Sequence, residues 1–268
     1  INNHVKSNYA GFGGAIYAED VMPHIYAENS DVYFIGNYID NNGTITPNDI
    51  YQYNSYVALI PTEKHGIYLD GGIDGSNYYI EVGPGTTNSG TGTVYMANGI
   101  NNSDRIAIVD GYTLKFVKGA RGQGEIVGNT DLENYGGTFD LNNGYIETVK
   151  LSGYSSSGGR LVLDVDPENN ISDKLEISGG VSGTTDVVVY TLSSALPSRS
   201  IVFATAQSGG DADSFKLASD SAQVVVYANP IDYRDDVQYN QAEDGGREWY
   251  FAAAPEPEEP ENPDEPVV

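Results

Sequence analysis

The chain has no cysteine. Disulfides and thiolate-held metals are thereby excluded. The compartment is not, because a chain that crosses a membrane unfolded also has reason to avoid disulfides. Basic residues are scarce, with 13 Lys and Arg against 38 Asp and Glu, giving a formal charge of −25. Such a surface repels DNA, RNA and anionic lipid, so no nucleic-acid partner is expected. No apolar run approaches the roughly 18 residues that span a bilayer, so direct membrane insertion is not expected either. Histidine is limited to His4, His24 and His65, scattered without metal-ligand spacing and read as exposed loop residues. The first residues, Ile1-Asn2-Asn3-His4, lack the basic start and apolar stretch of a signal peptide. They read like the middle of a repeat, so the expectation is a piece of a longer protein.

Helix signals are also nearly missing. Apolar residues do not recur at helical spacing, and Tyr, Val, Ile and Thr locally outnumber good helix formers. Short alternating runs are present instead, among them Tyr79-Ile80-Glu81-Val82, Thr113-Leu114-Lys115-Phe116-Val117 and Tyr145-Ile146-Glu147-Thr148-Val149. Turn pairs separate them, such as Asp70-Gly71, Asn98-Gly99, Asp110-Gly111 and Asn143-Gly144, whose residues tolerate positive φ. Strands of three to five residues, about 10 to 15 residues apart, fit an antiparallel sandwich or a solenoid. In a solenoid each strand stacks on its counterpart one coil later, at about 4.8 Å. A repeat favours the solenoid. The stretch Gly13-Gly14-Ala15-Ile16-Tyr17, preceded by Asn2-Asn3, is echoed by Asn48-Asp49-Ile50-Tyr51, preceded by Gly36-Asn37. The offset of about 35 residues lies in the range of solenoid repeats, and recurrent Asn suits a hydrogen-bonded ladder along the axis.

The chain ends in alternating proline and acid, from Pro255-Glu256-Pro257 to Asp264-Glu265-Pro266. Prolines favour an extended conformation, the charges repel and nothing there can bury, so the segment reads as a linker.

Gly13-Gly14-Ala15-Ile16 and Phe34-Ile35-Gly36-Asn37 resemble the GGA[I/L] and FxxN repeats of polymorphic outer-membrane proteins and pertactin-like autotransporter (type V secretion) passengers. Later motifs follow in the family's order, including Asp110-Gly111-Tyr112-Thr113-Leu114, Leu161-Val162-Leu163-Asp164-Val165-Asp166 and Arg247-Glu248-Trp249-Tyr250-Phe251. The last two resemble the autochaperone region that closes such passengers. The resemblance covers nearly the whole chain. It implies an all-β fold: a right-handed parallel β-helix with a C-terminal β cap. It divides the chain into β-helix coils over 1–144, an autochaperone-like cap over 145–254 that assists folding during export, and a linker over 255–268 toward a translocator barrel. It assigns a repeat-motif role to Gly13, Gly14, Ala15, Ile16, Phe34 and Asn37, and a cap-core role to Leu161, Leu163, Val165, Trp249, Tyr250 and Phe251. It places the protein at the cell surface or outside the cell, anchored through its own outer-membrane barrel and linked to virulence.

Candidate chemistry is thin. Asp164 and Asp166 stand two apart, so on a strand they share a side at about 6 to 7 Å, inside the range of glycosidase carboxylate pairs. With no evident partner nearby, the expectation is a solvated acidic face. Asp164-Val165-Asp166-Pro167-Glu168 opens like a calcium loop, but Asn169 and Leu175 fall where Gly and Glu are required. Gly122-Gln123-Gly124 begins no dinucleotide fingerprint, since no helix follows. The 21 tyrosines suit either exposed contacts to sugars and proteins or ladders on strand faces. No catalytic, cofactor or metal residues are therefore assigned. The expected function is an adhesin stem or binding surface for a host-cell or other cell-surface protein or glycan. A polysaccharide-acting lyase or glycosidase is the alternative, and a spacer for an upstream head the third reading. A solenoid's end coil exposes core and backbone edge unless covered. Limited proteolysis should therefore spare the region from about Tyr145 to Ala254 longest, and its early loss would refute the capping role.

Overall fold

The computed structural model describes residues 3–6, 9–10, 14–41, 43–85, 90–118, 126–195, 197–219, 237–241 and 245–251, without the side chains of 3–6, 9–10, 41 and 127. Gly13 and the 255–268 linker lie outside these. The described residues form strands and turns with no helix, and the strands stack as a parallel β-solenoid, a parallel β-helix of about six turns.

The pairing register shows why. On one flank Ile16 pairs with Ile50, Ile50 with Ile73, Ile73 with Ile100, and Ile100 with Ile126. On a second flank Val57, Ile80, Ile106, Leu132, Tyr154 and Val181 follow one another. On a third, Val32, Ile67, Val94, Leu114, Phe139, Leu161, Val187 and Leu217 do so. Side chains alternate across a strand, so each column points inward along its whole length. Nearly every member is buried, and each fully buried aliphatic side chain stabilises the fold by roughly 1.5–3 kcal/mol.

The strands differ in one respect from the short runs expected. Ile50–Ile60, Ile73–Val82, Gly153–Asp166 and Lys174–Thr191 are each long enough to serve two flanks. They turn the corner between flanks on a left-handed residue: φ is 45° at Asn54, 53° at Asn77 and 80° at Gly183. Asn and Gly reach that region most easily, so the strand bends without losing its pairing.

Coil length is uneven. Partners in the first coils are 34 or 35 positions apart, as for Gly14 with Asn48 and Asp31 with Gly66. Later the separation falls to 23 for Asn54 with Asn77 and 25 for Lys115 with Asp140. The early excess includes an antiparallel hairpin, Tyr38–Asn41 against Thr44–Pro47, on which Tyr9–Ala10 lies parallel.

Parallel stacking runs without a break past residue 144. Thr148–Leu151 pairs with Lys174–Ile177, Gly153–Asp166 with Val181–Thr191, and Thr185–Val187 with Phe215–Leu217. Past residue 144 antiparallel pairing appears in a short hairpin, Val165-Asp166 against Ile171-Ser172, and in the last strands, where Ile201–Gly209 pairs with Arg247–Phe251, which pairs with Gln238–Gln241. Parallel pairing between coils continues into Ile201–Gly209, where Ala204, Thr205 and Ala206 pair with Leu175, Glu176 and Ile177.

A Cβ on Gly183 would lie 1.8 Å from the Ser156 carbonyl oxygen of the preceding coil. Gly183→Ala combines that collision with the strained φ and should destabilise by about 1–3 kcal/mol, read as a lowered denaturant midpoint.

Candidate functional site

The repeat motifs meet at one corner. Ala15 N and Ile16 N both donate to Asp49 O at 3.0 Å, and Gly14 N donates to the Asn48 side chain at 3.3 Å. A Cβ on Gly14 would sit 2.1 Å from Asn48 O, so glycine is needed for this approach. Phe34 fills the core, while Asn37, fully buried, donates to Asp49 Oδ1 at 2.7 Å. Gly71 N donates to Asp49 Oδ2 at 2.6 Å. The motif residues Gly14, Ala15, Ile16 and Asn37 thus converge on Asn48-Asp49, with Phe34 packed beneath. Burial pushes the Asp49 carboxyl up to about 7, against the pull of these donors.

A second corner gathers four acids, Asp140, Glu147, Asp164 and Asp173. Asp164 is fully buried, not on a solvated face as its sequence suggested. It accepts from Asn142 Nδ2 at 2.8 Å, Asn143 N at 2.9 Å and Gly144 N at 2.7 Å. Three donors compensate its lost hydration and so fold the Asn143-Gly144 turn. Asp166 serves another turn, accepting from Asn169 Nδ2 at 2.7 Å. The two aspartates therefore pin separate loops and do not act as a carboxylate pair. Asp173 is buried and accepts from Asp164 N at 2.6 Å and Glu147 N at 2.7 Å. Burial, aided by the neighbouring Asp164 and Glu147, pushes it up to about 8. Asp140 pairs with Lys115 at 2.7 Å. Among the described residues no three His, Asp or Glu side chains are arranged to hold a metal ion.

At the closing end Trp249 is fully buried. It packs on Phe215 at 5.0 Å and Tyr239 at 5.5 Å between ring centroids, and its Nε1 donates to Asp211 O at 2.8 Å. Tyr250 and Phe251 are half-buried on either side of the strand, Phe251 stacking on Phe203 at 4.7 Å. Leu161, Leu163 and Val165 are also buried, but in the parallel coils and not in the antiparallel closure.

The outer flanks carry the polar and aromatic surface. One has a tyrosine ladder, Tyr33 on Tyr68 at 4.7 Å and Tyr68 on Tyr95 at 4.4 Å, continued by the Lys115–Asp140 pair. On another flank Tyr56, Tyr79 and Arg105 are successive register partners, and beside them run Glu81, Ala107 and Glu133. Arg105 lies over the Tyr79 ring at 6.0 Å and pairs with Glu133 at 2.8 Å. Tyr56 stays protonated, its pKa raised by burial and then by a hydrogen bond to Glu81. His24, exposed, sits on the strand His24–Tyr26 and not on a loop; His65 lies in a turn 3.7 Å from Asp31; His4 falls on the strand Asn3–Lys6, its side chain outside the described residues. Sequence reasoning missed this flank. Its one signal was the abundance of tyrosine, 21 in the chain.

No protein-family model matches the chain, and no curated protein matches it significantly. The fold and its corners define a parallel β-solenoid with two corners pinned by buried carboxyl groups and an aromatic closure.

Asp49 and Asp173 hold protons in the fold that the unfolded chain releases near the ordinary carboxyl value of 3.8. Between that value and about 8 the folded chain binds more protons, so stability falls as pH rises through the window. Thermal unfolding should show a higher midpoint at the acidic end, and Asp173→Asn should flatten the dependence while lowering the midpoint.

Proposed function

We propose that this chain is part of an autotransporter-type passenger, displayed at the cell surface, whose outer flank binds a surface protein or glycan on another cell without chemical change. The carrying observation is the open flank on which half-buried Tyr56 and exposed Tyr79 stand beside Asn and Asp side chains in one shallow groove. Shallow, rigid, amphipathic surfaces favour recognition of an extended partner, because little entropy is lost on ordering the site. The autotransporter assignment draws on the convergence of Gly14, Ala15, Ile16 and Asn37 on Asn48-Asp49, which gives the repeat motifs a structural reason. In this reading the antiparallel closure around Trp249 belongs to the cap that assists folding during export.

One observation favours the enzyme alternative. Glu81 and Glu133 lie two rungs apart across Ala107, about 9 to 10 Å between backbones, near the upper end of inverting carboxylate separations. Glu133 is already tied to Arg105 and Tyr135, so its carboxyl oxygens are engaged within the fold.

The test is to immobilise the chain and expose it to host-cell surface proteins and polysaccharides, recording retention and ligand mass together. Saturable retention of unchanged ligands is expected. Shortened products would shift the assignment to the enzyme, and neither retention nor product would leave a spacer.

A further inference from the structure

The turn between the strands Ile16–Glu19 and His24–Tyr26 stacks one rung before Tyr56, which donates its N–H to Val21 O, and makes one wall of a groove of about 350 Å³. That wall is apolar and open to solvent: Val21 is 51% and Met22 74% exposed. Beside it, on the next two rungs, are Tyr56 and Tyr79, the latter 44% exposed. Along the groove runs a polar row. Asn77 Nδ2 donates to Asn54 Oδ1 at 2.7 Å, and Asn54 Nδ2 donates to Asp20 Oδ1. All three have positive φ, 54°, 45° and 53° in chain order, so the same corner geometry recurs in three successive coils. The row is thus ordered before any ligand arrives. Its exposed groups comprise a carboxylate oxygen at one end, an amide oxygen at the other and amide N–H groups between.

We infer that this groove is a binding site for a neutral, hexose-based oligosaccharide; the inference rests on the binding reading proposed above and names its ligand class. A pyranose ring has an apolar face of C–H groups and a rim of hydroxyls, each both donor and acceptor. The Tyr79 ring, with Val21 and Met22 alongside in the groove, offers the apolar face its contact. The Asp20–Asn54–Asn77 row offers carboxylate acceptors and amide donors to the rim. Successive rungs lie about 4.8 Å apart, so the row presents polar groups at intervals comparable to the length of a sugar unit. Charge selects within the class. Asp20 in the groove and the net −25 of the chain oppose sulfated or sialylated chains. Arg105 lies over the Tyr79 ring and is already paired with Glu133, so its charge is largely neutralised for an incoming anion.

The experiment titrates linear glucose, galactose and mannose hexasaccharides, and sulfated and sialylated counterparts, into the intact chain by saturation-transfer NMR and calorimetry. At least one neutral hexasaccharide should bind. Tyr79→Ala should weaken it about tenfold or more, Tyr79→Trp should keep it, and Tyr190→Ala, on a distant exposed tyrosine, should leave it unchanged. Thermal unfolding of each variant separates loss of the site from loss of the fold. Absence of neutral-glycan binding, equal binding by Tyr79→Ala, or preference for the sulfated chains overturns the inference. Retention of a cell-surface protein by a chain that binds no glycan overturns this site while leaving the binding reading intact. Retention of nothing at all overturns both.

Discussion

Backbone hydrogen bonding between coils is the constraint on which the rest depends. Each strand's N–H and C=O groups are satisfied only by the coils before and after it, so every coil must repeat the outline of its neighbour at one strand spacing. The like-on-like columns follow directly. Ile stacks on Ile from Ile16 to Ile126 because side chains sharing a register position share a shape. The corners follow as well. Where the path bends, a residue must adopt positive φ or allow a backbone approach that Cβ would block, which accounts for Asn54, Asn77, Gly14 and Gly183. The constraint also creates a problem at the end, where the last parallel strand has no successor. An antiparallel strand carrying Trp249 closes that edge and fills the space below it.

The same constraint explains what the sequence reveals. Alternation and turn pairs identify the all-β solenoid because they are local. The repeat is legible only in its first two copies because those coils include the Tyr38–Pro47 hairpin, and later coils drop to shorter periods. Strand lengths are underestimated because a strand that bends on Asn54 or Gly183 continues its pairing through what reads as a turn. The buried acids are illegible for a different reason. Asp164 looks like any other acid in an acidic chain; the Asn142-Asn143-Gly144 turn that wraps it comes from the previous coil, 20 to 22 positions away. The Tyr79 groove is illegible in the same way, since Asp20, Asn54 and Asn77 meet only through stacking.

Division of labour within a strand links this architecture to recognition. Inward positions are committed to columns and tolerate little change. Outward positions are held at the same spacing by the columns behind them yet are free in identity. Rows of outward side chains thereby acquire a fixed pitch without contributing to the core, and Tyr56, Tyr79 and Arg105 form such a row. The tyrosine ladder on the neighbouring flank shows the contrasting use, with rings spent on one another.

The pairing slips at three places, between Ser157 and Gly159, between Ile177 and Gly180, and between Val202 and Ala204. All lie in the C-terminal half, and among the described residues no earlier strand pair carries such a slip. The inter-coil hydrogen bonds run along the solenoid axis, so tension on the two ends reaches every interface in series. A chain loaded this way gives at its least regular joint. The regular coils would then behave as a stiff rod, and the slipped joints near the closing end as the compliant element that yields first.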